Sequence, residues 1–295
     1  APLSVEMANR FVEYTGANVV EGYGLTEGTS SSSMSPIQGL IKIGSVGLRW
    51  PYQEMKIFMT DEEGNYVRDA GVDEIGSLCI KGPNVFKGYL EDRHNKRIWP
   101  QEGWLNTGDM GRQDSDNYFW VTGRLKELII RGGHNIDPAL IEEPLYQLPD
   151  VLMAAAVGRP DQRVGELPVA YVQLHSGSTL TVEKIKEHLQ QAVGERAAIP
   201  KEVYIVDEMP LTTVGKIFKP ALKREVIKNV YLDDLQALGD MVEQIDIEIG
   251  EDKIHGSLAV ITVKAAQSAE KDKIRRRVDE LLAAYTTRYQ VIIND

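Results

Sequence analysis

The stretch WLNTGDMGRQDSDNYFWVTGRLKELIIRGGHNID, residues 104–137, is the centre from which the rest of the chain can be placed. In Thr107-Gly108-Asp109 the glycine lets the backbone turn and the carboxylate project. An acid so placed can accept both hydroxyls of a ribose. Arg124 follows a strand-like YFWVT and carries a planar fork suited to the same sugar or to a phosphate. Beyond Lys126 comes a short apolar run at 128–130, then the glycine pair Gly132 and Gly133. The same residues also read as two ordinary turns around an exposed hairpin with solvated charges. The stretch decides nothing alone.

Upstream, residues 44–123 alternate short strands and glycine turns. Strands are expected over 54–59 and 77–81, with a hairpin turn at 61–65, giving a compact β subdomain with Asp109 near its end. Before it, residues 18–24 read as a short buried strand running into the loop YGLTEGT (23–29) and the serines Ser30 to Ser33. Ligands of α/β sheets gather at the carboxyl ends of strands. There Tyr23 offers a flat face for a base, Thr26 a hydroxyl for a phosphate oxygen, and Glu27 a hard oxygen for magnesium. The serine run favours the rival reading, a flexible polar connector. The first residues form a helix pattern that Ser4 can cap, with Leu3, Met7, Phe11 and Tyr14 on one face and Gly16 at its end. So abrupt a start suggests the later part of a longer protein.

Downstream, residues 125–228 alternate strand and helix as a small α+β domain. Asp137 caps a helix with Pro138 in its first turn, Ile136 and Ile141 are spaced as a hydrophobic staple, and Pro149 stops it. Strands are expected over 153–158, 169–174 and 204–206. Thr181 opens a helix with Val182, Ile185, Leu189 and Val193 on one stripe. PLTTVGK (210–216) then puts Lys216 after a glycine in a polar turn. Residues 229–295 read as αββαβ: a helix over 232–242, alternating Ile245, Ile247 and Ile249, a strand over 258–263, a helix capped by Ser268, and a strand over 291–293.

Composition bounds the function. A chain of 295 residues is too long for one typical core. A net charge of −11 and a pI near 5.1 argue against a nucleic-acid partner. The single cysteine, Cys79, excludes an internal disulfide, reads as a core residue, and fits a reducing, cytoplasmic location. One cysteine and five scattered histidines give no zinc-type spacing. The longest apolar run, 151–157, is too short to cross a bilayer.

Together, YGLTE, the TGD aspartate, the GR arginine, the glycine pair and the PLTTVGK lysine occur in an order and spacing that resemble the AMP-forming adenylating enzymes. That family comprises acyl-CoA synthetases, luciferases and peptide-synthetase adenylation domains. The resemblance covers roughly residues 1–228, and GPNVFKGYLEDRHN (82–95) and VGKIFKPALKRE (214–225) look most like bacterial fatty-acyl-CoA synthetases. It implies an α/β and α+β multidomain fold. Residues 1–124 would end the large AMP-binding domain with its β subdomain, 125–228 would be a mobile lid domain, and 229–295 an extension of unassigned role. It implies ATP or AMP, Mg2+, coenzyme A and a fatty or related carboxylic acid as ligands. Tyr23 with Gly24 would take the adenine, Thr26 the phosphate, Glu27 the magnesium, and Asp109 with Arg124 the ribose. Lys216 would reach the substrate carboxylate and α-phosphate. Lys126 would be the hinge, and Gly132 and Gly133 would line the coenzyme A channel. Homo-oligomerisation through the extension stays open.

Two departures qualify this. The family's Gly/Ser/Thr-rich phosphate loop would lie upstream of YGLTE and is absent, so this stretch alone is expected to lack normal synthetase activity. Ala198-Ile199-Pro200-Lys201 replaces an aromatic-Lys pair, which leaves Arg159, Arg163 and Arg196 as unproven candidates for the coenzyme A phosphates. The rival functions are an enzyme loading a carrier protein and a non-catalytic nucleotide-binding or docking module.

Overall fold

The computed structural model describes residues 5–61, 63–124, 127–252, 256–267 and 269–294. The chain divides into two units, Ala1–Leu128 and Ile129–Asp295.

In the first unit, α1 (Val5–Thr15) ends where Gly16 takes a φ of +69° and its N–H donates to Val12 O at 2.8 Å. Leu3 and the expected cap Ser4 lie outside the described residues. Three two-residue strands, β1 (Gly22–Tyr23), β2 (Ser33–Met34) and β3 (Leu48–Arg49), form an antiparallel sheet. The buried strand expected over 18–24 does not form at that length. Only Gly22 and Tyr23 pair, with Met34 and Ser33, and Asn18 is exposed. Nor is the connector after it a loose one. Ser32 and Ser33 are fully buried. Ser33 Oγ donates to Val46 O at 2.8 Å, and Ser32 Oγ accepts from Gln53 Nε2 at 3.0 Å. Buried hydroxyls must be paired, and here the pairing braces the loop.

The larger sheet of this unit is antiparallel, with order β5-β4-β6-β7-β8. Its strands are β4 (Glu54–Thr60), β5 (Tyr66–Asp69), β6 (Gly76–Lys81), β7 (Leu105–Gln113) and β8 (Phe119–Arg124), with a short α2 (Asp92–Asn95) before β7. Strand periodicity sorts the two faces. Leu78 and Ile80 join Met55, Ile57 and Phe119, against which Tyr23 and Leu25 pack. Cys79 points the other way, to Phe58 and Trp104. Burial pushes its thiol far up, so Cys79 is a core residue, as its strand-like setting suggested.

In the second unit, β9 (Ile129–Arg131) and β10 (His134–Ile136) make a hairpin, followed by α3 (Ala139–Tyr146). Asp137 Oδ1 accepts the Ala139 N–H at 2.9 Å, and Ile136 and Ile141 are buried in one core. The helix tolerates Pro144 inside it and ends at Tyr146, ahead of Pro149. Then come β11 (Val151–Asp161), β12 (Gly165–Leu174), α4 (Val182–Ala192) and β13 (Glu202–Val206), in a sheet of order β10-β9-β12-β11 with β13 parallel to β12. Thr181 caps α4, and Ile185, Leu189 and Val193 fill the core beneath it.

The next helix differs from expectation. α5 (Lys219–Leu235) starts well before residue 232, and Gln236–Met241 is a 3-10 segment that leads straight into a strand. Leu222 and Val226 pack with Tyr171 and Met209 in one core. Ile227, Val230, Tyr231 and Leu235 lie in another, with Ile247, Ile261 and Val278. A helix buried on two sides shows no single apolar stripe, so its pattern is hard to see in sequence. The boundary expected at 228/229 falls inside it. The remainder is β14 (Val242–Asp252), β15 (Gly256–Ala265), α6 (Lys271–Leu282) and β16 (Arg288–Asn294), in a sheet of order β14-β15-β16. Ser268, the expected cap of α6, lies outside the described residues. Among the described residues no helix is long and apolar enough to cross a membrane.

Tyr231 is fully buried and its hydroxyl donates to Thr287 O at 2.9 Å. Tyr231→Ala is expected to lower stability by about 3–5 kcal/mol. Tyr231→Phe, losing only the hydrogen bond, should cost about 0.5–1.5 kcal/mol. Urea denaturation of the two variants checks the order.

Candidate active site

A bulge sets Asp109. Along the β6–β7 ladder Ser77 pairs with Met110, but Cys79 pairs with Asn106, so residues 107–109 are extruded opposite Leu78. Gly108 there has a φ of +78° with empty space where a Cβ would lie, so glycine answers a backbone need. Thr107 Oγ1 donates to Leu78 O at 2.9 Å and accepts the Asp109 N–H at 3.2 Å. The TGD segment is therefore a fixed bulge within β7 and not a free loop. Asp109 is only 9% exposed, and its Oδ2 accepts a hydrogen bond from Tyr23 Oη at 2.6 Å. Two residues far apart in sequence thus share one spot, at the mouth of the 23–29 loop. In β-sheet register Asp109 also faces Arg124 across the β7–β8 pair. The Arg124 side chain, and all of Lys126, lie outside the described set.

The loop itself is held closely. Gly24 has no space for a side chain, since a Cβ there would stand 1.5 Å from Ser30 O. Thr26–Gly28 forms one turn of 3-10 helix, which presents an exposed Thr26 and a half-buried Glu27. The segment after β6 grips that turn. Phe86 N–H donates to Glu27 O at 2.8 Å, Asn84 Nδ2 to Gly28 O at 2.7 Å, and Thr29 Oγ1 to Asn84 O at 2.6 Å. Tyr89 Oη donates to Glu27 Oε1. Burial, with the Glu27 carboxylate beside it, pushes the Tyr89 phenol up to about 12. Nothing local in the sequence marks Asn84, Phe86 and Tyr89 for these contacts, although all three lie in GPNVFKGYLEDRHN (82–95). The signal available was Gly82-Pro83 and Gly88, which mark turns but not what the turns touch.

The remaining candidates belong to the second unit. Lys216 lies in a tight turn closed by the Leu211–Ile217 bridge, with Thr212 N–H donating to Lys216 O at 2.7 Å and Gly215 at a φ of +77°. The lysine is exposed and forms no salt bridge with any described residue. It sits three residues ahead of α5, so a rigid helix begins where its turn ends. Gly132 and Gly133 form the two-residue turn of the β9–β10 hairpin, at φ of +55° and +86°. Both have empty space at the Cβ position, so the hairpin turn by itself accounts for glycine there. Arg159 lies 4.0 Å from Glu202, while Arg159 and Arg163 border a polar cavity of about 330 Å³ with Asp233, Asp234 and Tyr285. Arg196 sits apart from it, in the 3-10 segment Arg196–Ala198. The structure thus brings together Tyr23, Asp109 and the loop carrying Thr26 and Glu27 in one unit. Lys216 and the glycine pair lie in the other.

A magnesium ion escorting a nucleotide takes one or two protein carboxylates and otherwise phosphate and water. Glu27 as a single donor fits that habit, and among the described residues no group of three or more His, Cys, Asp or Glu could hold a metal alone.

Comparison with known proteins adds to this geometry. The model of the AMP-binding enzyme family matches residues 1–90, and that of the AMP-binding enzyme C-terminal domain matches residues 140–216. A marinolic acid–CoA ligase of Pseudoalteromonas sp. (strain SANK 73390) is 44% identical over 284 residues, which is 95% of this chain and 43% of that protein. That coverage takes in most of β14–β16. A long-chain-fatty-acid–CoA ligase of Bacillus subtilis (strain 168) is 34% identical over 79% of this chain and 40% of its own length. Among solved structures, ATP-bound MatB from Rhodopseudomonas palustris superposes with a TM-score of 0.72 at 30% identity, covering 78% of this chain and 44% of that one. The chain spans less than half the length of these relatives.

Gly24→Ala tests the loop geometry. A methyl group driven into the Ser30 carbonyl meets backbone that cannot swing aside, so the expected loss is about 1–3 kcal/mol. A thermal melt of the variant against the parent reads it.

Proposed function

This chain belongs to the AMP-binding enzyme family, and on that premise we propose that it is part of an AMP-forming acid–thiol ligase. In this reading a carboxylate oxygen attacks the α-phosphorus of ATP, forming an acyl-adenylate as the bond to pyrophosphate breaks. The thiol sulfur of coenzyme A then takes the acyl carbon, AMP leaves, and the thiol proton passes to solvent. The relatives are named for acids as different as marinolic acid and a long-chain fatty acid, which supports a carboxylic acid as the substrate class. A fatty or closely related acid is our reading for this chain.

One observation carries the proposal: the Tyr23 hydroxyl on the Asp109 carboxylate, beside the turn bearing Thr26 and Glu27. A flat ring and an acid held together suit an adenosine, the ring for the base and the acid for the sugar hydroxyls. Arg124, opposite Asp109 in register, would serve the same sugar. Thr26 would donate to a phosphate oxygen. Glu27 would be the protein's oxygen for magnesium, whose charge, when the ion is bound, draws density from the phosphates. Lys216, a compact ammonium on a long stem, would meet the negative charge that accumulates as carboxylate and α-phosphate approach. Gly24 keeps the backbone of the loop close enough to Ser30 for the motif to hold its shape.

The division into residues 1–124, 125–228 and 229–295 belongs to the same proposal. A hinge at Lys126 would let the second part bring Lys216 forward for adenylation and Gly132–Gly133 forward for thioester formation.

In the full-length polypeptide, Lys216→Ala should lower ATP–pyrophosphate exchange by about 10²–10³-fold, the scale of removing one preorganised charge-stabilising group. The melting temperature should stay unchanged, because Lys216 is exposed. Exchange at the parent rate in this variant would contradict the assignment.

A further inference from the structure

The geometry points to Tyr89 as a positioning residue for Glu27, holding one oxygen of that carboxylate in place so that the other can take the nucleotide's divalent cation. The inference rests on the reading of Glu27 as the magnesium carboxylate and adds to it a residue from a different segment of the chain.

Tyr89 Oη donates to Glu27 Oε1, and among the described residues Oε2 has no hydrogen-bond donor. The backbone that carries the phenol is itself fixed, because the Asn95 side chain spans Tyr89 from N–H to carbonyl. The Tyr89 N–H donates to Asn95 Oδ1 at 2.6 Å, and its carbonyl accepts from Asn95 Nδ2 at 2.9 Å. Its ring meets Phe86 edge-on at a centroid distance of 4.9 Å. Phe86 in turn donates its N–H to Glu27 O, so the segment that carries the phenol also holds the backbone of the glutamate. Gly88, at a φ of +127°, gives the chain the bend that brings Tyr89 round, and a Cβ there would come within 2.9 Å of Asn95 Oδ1.

This arrangement does more than fill space. Tyr89 is 41% exposed, so its ring is not locked in a closed core, and the bond to Glu27 is a directed contact. A glutamate side chain left to itself samples several rotamers, and fixing it before the cation arrives removes that ordering cost from binding. Carboxylates that bind metals are commonly held in this way by an outer hydrogen-bond donor, and loss of such a partner typically costs about 10–100-fold in metal affinity.

The experiment uses the full-length polypeptide with ATP, and Mn2+ as the probe, followed by the loss of the free-ion signal in electron paramagnetic resonance. Tyr89→Phe should weaken Mn2+ binding to the ATP complex about 10-fold or more. It should also raise the Mg2+ concentration for half-maximal ATP–pyrophosphate exchange by a similar factor, with kcat at saturating Mg2+ retained. Glu27→Gln should weaken Mn2+ binding further, and adding Tyr89→Phe to it should change nothing more. If Glu27→Gln weakens binding while Tyr89→Phe binds Mn2+ like the parent, the role given to Tyr89 is wrong and that of Glu27 survives. If Glu27→Gln binds like the parent, the reading of Glu27 itself fails, and the inference about Tyr89 falls with it.

Discussion

The hydrogen bond from Tyr23 to Asp109 is the contact on which the candidate site depends. It joins a two-residue strand in a small sheet to a bulge in the larger one. Each side is secured separately. The Tyr23 side is tied down by buried serines, with Ser45 Oγ donating to Phe119 O at 2.8 Å and Ser33 to Val46 O. On the Asp109 side, Thr107 spans the bulge. A short bond between an aromatic hydroxyl and a carboxylate demands that both anchors be rigid, because a small slip of either strand would break it.

Much of this was legible in the sequence where a physical requirement leaves one residue type little choice. Gly108 announces a turn that a positive φ serves, and the apolar run within Ser77 to Lys81 announces the strand β6. Thr181 and the stripe behind it give α4 nearly to the residue. Contacts between segments distant along the chain were not legible. Ser30 to Ser33 look like a connector because serine suits solvent, yet two of the four are buried and bonded. Tyr89 carries no local sign that it reaches Glu27, since that depends on how two turns face each other. α5 escaped for the opposite reason: its apolar residues serve two cores, and a pattern judged by one stripe misses it.

That helix also shapes how the second unit works as an object. Lys219, Lys223 and Lys228 on α5 pair with Glu142, Glu166 and Asp246, on α3, β12 and β14. Gln162, in the turn between β11 and β12, donates to Asp234 of α5 at 3.0 Å, and Tyr285 beyond α6 donates to the same carboxylate at 2.6 Å. The β14–β16 sheet is therefore tied to the body of the unit through a continuous helix and not through a linker. The exposed turn of Lys216 leads directly into this helix, so the lysine stands on a base braced from both cores.

The most direct measurement of the central claim is a crystal structure of the full-length polypeptide with AMP. The account predicts the adenine against the Tyr23 ring and both ribose hydroxyls within hydrogen-bond distance of the Asp109 carboxylate. AMP bound elsewhere, with Tyr23 and Asp109 engaged only with each other, would contradict it.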